Sequence, residues 1–252
     1  SDVYKRQMEY TYTYDNASVR GKRNPIWWQT TVASAGNLTS AVYRIFGKPF
    51  SEEGKKLFGV PFAQFLKLNS EFRYHYRIDK NQMIASRIAG GVIWSYGNAT
   101  TAPYTEQFYI GGANSVRAFS ARSIGPGGYP PETDRKYTYI NHVGDIRIEA
   151  NIEYRFRMIA DLHGAVFLDA GNVWLMRKDE NRPNGEFTLK NFPKQIALGT
   201  GFGLRYDLDF LVFRLDLGIG LHDPYDTGKS GYYNIPKFKD SMALHFAIGY
   251  PF

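Results

Sequence analysis

The chain predicts an all-β fold: a membrane-spanning, antiparallel β-barrel. Three observations carry this reading: long stretches that alternate with a period of two, connections that alternate between short and long, and apolar runs too short for a membrane helix. The clearest stretch is 145–158. Its odd positions are polar (Asp145, Arg147, Glu149, Asn151, Glu153, Arg155, Arg157) and its even positions apolar (Ile146, Ile148, Ala150, Ile152, Tyr154, Phe156, Met158). Only a strand places such residues on two unlike faces. At about 3.3 Å per residue it spans roughly 45 Å, beyond the usual strand of a soluble sheet and enough to cross a bilayer with tilt.

The remaining strands repeat the pattern. Between 66 and 78 the even row is apolar except for Ser70, against Lys67, Asn69, Glu71, Arg73, His75 and Arg77. From 198 to 210 the even row is again apolar except for Thr200, opposite glycines and then Arg205 and Asp207. The phase flips near Phe210, as a tight hairpin requires: Leu211, Phe213, Leu215, Leu217 and Ile219 face away from Arg214 and Asp216. The last row is Met242, Leu244, Phe246, Ile248, Tyr250 and Phe252. Nine strands are expected, at about 8–14, 27–36, 63–78, 82–96, 144–158, 162–176, 196–209, 211–222 and 241–252. Their connections alternate short and long, as in outer-membrane barrels with short periplasmic turns and longer outer loops. Trp27, Trp28, Trp94 and Trp174 fall near strand ends, where interfacial girdles collect aromatics.

Composition narrows the function. Of 252 residues, 16% are aromatic and none is cysteine, which excludes disulfides and thiolate metal sites. The net charge of +7 is spread among alternating acids and bases, so the contiguous basic stripe that nucleic-acid binding needs is missing. The five histidines show no metal-ligand spacing, no GxSxG elbow is present, and no cofactor or catalytic constellation is expected. Val19-Arg20-Gly21 reads as a basic turn, and Gly199-Thr200-Gly201-Phe202-Gly203 as close packing within a strand. Residues 1–7 read as a cloning or sequencing scar and 8–252 as the barrel domain. Bacterial barrels have even strand numbers, so nine strands mark the C-terminal fragment of a larger barrel.

The longest connection, 97–143, contains Phe108-Tyr109-Ile110-Gly111-Gly112-Ala113-Asn114-Ser115-Val116-Arg117-Ala118-Phe119. Loops of this length are functional or disordered, and its aromatic and glycine content favours function. The segment resembles the inward-folded sixth loop of the BamA/TamA superfamily of outer-membrane assembly factors, whose signature is Val-Arg-Gly-Phe/Tyr after a Gly-Gly pair. Here Ala118 stands in place of the signature glycine. The stretch 164–174, with Asp169 two residues before Gly171, and the close Phe246, Ile248, Gly249, Tyr250 and Phe252 resemble that family's strand motif and terminal assembly signal.

The resemblance implies a sixteen-stranded barrel preceded by periplasmic POTRA domains, set in the outer-membrane bilayer. Unfolded outer-membrane proteins would be its clients and periplasmic or lipoprotein accessories its partners, with no nucleic acid. It also implies that Arg117 reaches into the lumen to pair with Asp169, whose parity directs it inward. The other reading of Asp169 is a place in a mixed lumenal network with Arg155 or Arg205. For Pro251, which cannot donate a ladder hydrogen bond, a weakly paired edge and a simple chain end both fit. A passive porin-like channel and a two-partner-secretion-type transporter are the alternative functions.

Overall fold

The computed structural model describes residues 7–17, 23–47, 49, 55–57, 60–131, 141–208 and 210–252. Residues 1–6 and the Val19-Arg20-Gly21 turn lie outside them. Nine strands form one antiparallel sheet in the order β1 (Gln7–Asp15), β2 (Ile26–Ala35), β5 (Phe65–Arg77), β6 (Gln82–Ser95), β7 (Ile146–Ile159), β8 (Leu162–Trp174), β9 (Ala197–Asp207), β10 (Val212–His222) and β11 (Met242–Ile248). Among the described residues β1 pairs only with β2 and β11 only with β10, so the sheet has two open edges.

The burial pattern is inverted relative to a soluble sheet. Along β7, Glu149, Asn151, Glu153 and Arg155 are buried while Ala150, Ile152 and Met158 are exposed. On β10, Arg214 and Asp216 are buried and Leu215 is exposed. Outward-pointing Phe72, Ile88, Val166, Phe202 and Leu244 continue the apolar surface around the sheet, where lipid rather than water makes exposure favourable. Ser70, the polar break in its row, accepts from Trp28 Nε1 at 3.0 Å and shares a 2.9 Å hydrogen bond with Thr30 Oγ1. A satisfied hydroxyl is the form in which a polar side chain is tolerated against hydrocarbon.

The concave face wraps the described part of the long connection between β6 and β7, residues 97–131 and 141–143. Its upper tier is an apolar core of Ala35, Phe65, Ile93, Phe108, Ile110, Val116, Ile124, Val173 and Ala197. The connection 37–62 contains α1 (Asn37–Ile45) and the two-residue strands β3 (Lys56–Leu57) and β4 (Val60–Pro61), which a period-two reading does not detect. Short 3₁₀ turns occupy Phe192–Gln195 and Phe238–Ser241.

Three expectations need correction. The final apolar row does not run to Phe252: β11 stops at Ile248, and Gly249 adopts φ +83°, a left-handed conformation that redirects the chain. Phe246 and Ile248 stay on the outer face, whereas Phe252 is buried, its carbonyl accepting from Arg155 Nη2 at 3.1 Å. Trp174 is not a girdle residue. Its ring is fully buried, 5.5 Å from both Phe187 and Phe192, and its Nε1 donates to Gln195 Oε1 at 2.9 Å, because the connection after β8 folds over it. Trp27 also leaves the girdle, lying under the Arg73 guanidinium at 4.3 Å, while Trp28 and Trp94 are exposed.

Candidate functional site: the inward loop and its charged cradle

The loop is built to present one arginine. Phe108 bridges to Gly144 through paired backbone hydrogen bonds of 2.9 Å, fixing the loop beside the start of β7. Gly112 N then donates to Phe119 O at 2.8 Å and Arg122 N to Ile110 O at 3.1 Å, so residues 110–122 double back as a compact finger. Gly111 and Gly112 hold φ of +98° and +90°, which an L side chain resists, and the turn depends on that pair. Ala118 is not among the residues with positive φ, so its methyl replaces the signature glycine without backbone strain.

At the tip, Arg117 is fully buried. Its Nε and backbone N both donate to Asp169 Oδ2, at 2.8 and 3.0 Å, and its Nη2 donates to Oδ1 at 2.9 Å. Asn151 Nδ2 adds a fourth hydrogen bond to Asp169 Oδ1 at 2.9 Å. Arg117 Nη1 donates to Glu153, and the guanidinium carbon lies 3.6 Å from the centroid of the Phe167 ring. A planar fork on a carboxylate combined with an aromatic face is a use of arginine that lysine cannot reproduce.

Asp169 lies on β8, Glu153 on β7 and Asp216 on β10. Arg205 bridges Glu153 at 3.1 Å and Asp216 at 2.5 Å, Arg155 holds Glu153 at 2.7 Å, and Arg214 lies 3.5 Å from Asp216. Four guanidinium groups thus meet three carboxylates, a local charge of 4 − 3 = +1. Arg155 and Arg205 join the network through Glu153 and Asp216, not through Asp169.

Further contacts lock the finger in register. Arg87 Nη1 donates to Asn114 O at 2.7 Å, Arg214 Nη2 to Asn114 Oδ1 at 2.5 Å, and Asn151 Nδ2 to Ser115 O at 3.0 Å. From the edge strand, His245 Nε2 donates to Arg117 O at 2.9 Å. The glycines of β9 and β10 make the room. A Cβ at Gly218 would lie 2.2 Å from Arg117 O, and one at Gly199 would lie 2.2 Å from Ala118 Cβ. The glycine row on β9 therefore gives backbone access to the finger.

Of the terminal residues singled out from sequence, Tyr250 packs over Arg155 at 4.6 Å and Phe252 meets the same guanidinium, whereas Phe246, Ile248 and Gly249 stay apart from the cradle. Gly171 lies on β8 beneath Ile110. Alternation alone does not single out Glu153, Asp216, Arg214, Asn151 and His245 from the other inward polar residues. Their inward parity was visible, but which of many inward charges touches the loop depends on strand stagger.

Residues 56–252 match the model of the Omp85 superfamily domain. Over 204 residues the chain is 28% identical to the outer membrane protein assembly factor BamA of Nitratidesulfovibrio vulgaris, covering 79% of this chain and 22% of that protein. The fold resembles the crystal structure of BamA from Haemophilus ducreyi lacking POTRA domains 1–3, with TM-score 0.61 and 13% identity, over 96% of this chain and 42% of that one. The chain thus spans about a fifth of the length of the curated relative. With an inverted sheet whose concave face grips an inward loop, the chain belongs to the Omp85 superfamily and forms part of an outer-membrane β-barrel.

Proposed function

We propose that residues 8–252 are the C-terminal barrel portion of an assembly factor resembling BamA, which inserts or translocates client outer-membrane proteins without covalent catalysis. Upstream POTRA domains and periplasmic or lipoprotein accessories would deliver those clients. The observation that carries this reading is the buried Arg117–Asp169 fork. It spends a fully desolvated charge pair on holding a loop finger inside the lumen, which a simple open pore does not need. β11 supports it as well: it is a seven-residue last strand followed by the turn at Gly249, and a short last strand that pairs weakly with the first strand of the full barrel could open to template an incoming strand.

His245 couples the two features, because it lies on the edge strand and donates to the carbonyl of Arg117. A shift of the finger is therefore felt at the edge where a client would pair. The test is client insertion into vesicles by the full-length protein carrying Arg117→Ala, with folding of the barrel checked by heat-dependent gel mobility. The expected outcome is a folded barrel with impaired client assembly. Wild-type assembly in that variant would overturn the mechanism and favour a passive channel. Reversal of both partners, Arg117→Asp with Asp169→Arg, is expected to restore activity only in part, since the new carboxylate would also face Glu153.

A further inference from the structure

We infer that α1 is an interfacial helix that packs one face on the outside of the barrel wall and buries the opposite face in the acyl chains of the outer leaflet. The helix Asn37–Ile45 follows β2 after Gly36 alone. Asn37 and Ser40, three residues apart, share one of its sides. Asn37 Nδ2 donates to Ser34 Oγ at 2.5 Å, Asn37 Oδ1 accepts from Tyr96 OH at 2.7 Å, and Ser40 Oγ donates to Gln64 Oε1 at 2.9 Å.

These three wall residues all point away from the lumen. Ser34 pairs with Leu66, which belongs to the exposed row of β5. Gln64 and Tyr96 form the next rung above the Phe65–Ser95 pair, with Tyr96 N donating to Gln64 O at 3.2 Å. Phe65 is buried inside, so its neighbours Gln64 and Leu66 face out. The helix therefore lies against the outer surface, just beyond the lipid-facing Leu66 and Trp94.

Its other side carries Leu38, Val42, Ile45 and Phe46, at spacings of four, three and one. At 100° per residue these four fall in one arc whose centre is roughly opposite that of Asn37, Ser40 and Tyr43. They are exposed by 58%, 46%, 82% and 79%, whereas Ser40 is completely covered and Tyr43 stacks on Phe62. An apolar arc pointing away from the wall, on a helix whose Asn37 bonds Tyr96 beside the exposed girdle residue Trp94, has acyl chains as its matching occupant.

The chain contains no cysteine, so single nitroxide labels are unique within it. The test uses the full-length protein in vesicles, with any cysteine outside this chain replaced by serine. Labels go at Val42→Cys and Ile45→Cys, at Ile88→Cys as a belt reference and at Ser230→Cys as a water reference; both reference positions are exposed. Collision rates with oxygen and with a water-soluble nickel chelate are then compared. The expected result is an oxygen-favoured ratio at 42 and 45 that matches 88, with the order reversed at 230. A nickel-favoured ratio at 42 and 45 would overturn the inference by placing the stripe in water. Protection from both reagents would overturn it by showing that protein, not lipid, covers the helix.

Discussion

The two tiers of the lumen hold the same loop by opposite means. In the upper tier Phe108, Ile110, Val116 and Ile124 sink into Phe65, Ile93 and Val173, an arrangement a soluble protein would use as its core. Four residues further down β8 from Val173, Asp169 marks a cradle of Glu153, Asp169 and Asp216 that Arg117 enters, with Arg155, Arg205 and Arg214 around it. Apolar contact is non-directional, so the upper tier can keep the loop inside without fixing its register. The fork on Asp169 tolerates only one position of the guanidinium, so the lower tier sets where the finger stops. Retention and register are thus separable.

The largest effect should come from the lower tier. Arg117→Ala leaves Asp169 buried with Asn151 as its remaining side-chain partner, while Glu153 keeps Arg155 and Arg205, an expected cost of about 3 to 5 kcal/mol in loop docking. The network is dry enough for that figure, since Arg117, Glu153, Asp169, Arg205 and Asp216 show no exposure. Hydrogen exchange at amides 110–122 should rise sharply while that of β8 and β9 holds. Unchanged protection would mean that the apolar tier fixes register by itself. Ile110→Ala should cost about 2 to 5 kcal/mol through its cavity, but with a different signature. Exchange should rise around Phe108 and Ile124 first, and the Arg117 amide, which donates to Asp169, should stay protected.

A third change acts between the tiers. Gly199→Ala drives a methyl into Ala118 Cβ, and overpacking of that kind costs about 1 to 3 kcal/mol. Adding Ala118→Gly should recover most of it, because Ala118 needs no left-handed backbone and the second methyl is what the first one meets. If the double variant is as poorly protected as Gly199→Ala alone, the clash lies elsewhere and the close-packing account of the glycine row is wrong.

Sequence made the strands of this molecule legible for the same reason that it hid parts of the site. Alternation at 66–78, 145–158 and 198–219 survives because lipid and lumen impose unlike chemistry on adjacent residues. Where a third environment intervenes, parity misleads: Trp174 sits in the outward series but is roofed by Phe187 and Phe192. Glycine carries no side to read, so the turn at Gly249 was invisible and the last row seemed to run on to Phe252. The nine residues of α1 were lost inside a long connection, although Leu38, Val42, Ile45 and Phe46 held a helical spacing. Arg117 was legible through a family resemblance, whereas Glu153 and Asp216 became its neighbours only through the stagger of β7 and β10 against β8.

The smallest effect should arise where charge meets water. Asp179 and Arg182 form an ion pair of 2.8 Å in the connection after β8, three residues apart and partly exposed. Hydrogen bonds from Arg182 hold the Asp179 carboxyl below the usual carboxylate range. A depressed folded value means that the pair stabilises the turn above the unfolded value and fades only as pH falls through the folded one. Asp179→Asn should therefore cost about 0 to 1 kcal/mol at neutral pH. The readout is exchange at the Arg182 and Gly185 amides, which donate to Asp179 O and Arg182 O. Salt near 1 M, where screening acts over about 3 Å, should remove most of that difference while leaving protection at Arg117 untouched. Equal salt sensitivity at both sites would show the Arg117 cradle to be wet, and would undo the claim that the lower tier sets register through a desolvated charge.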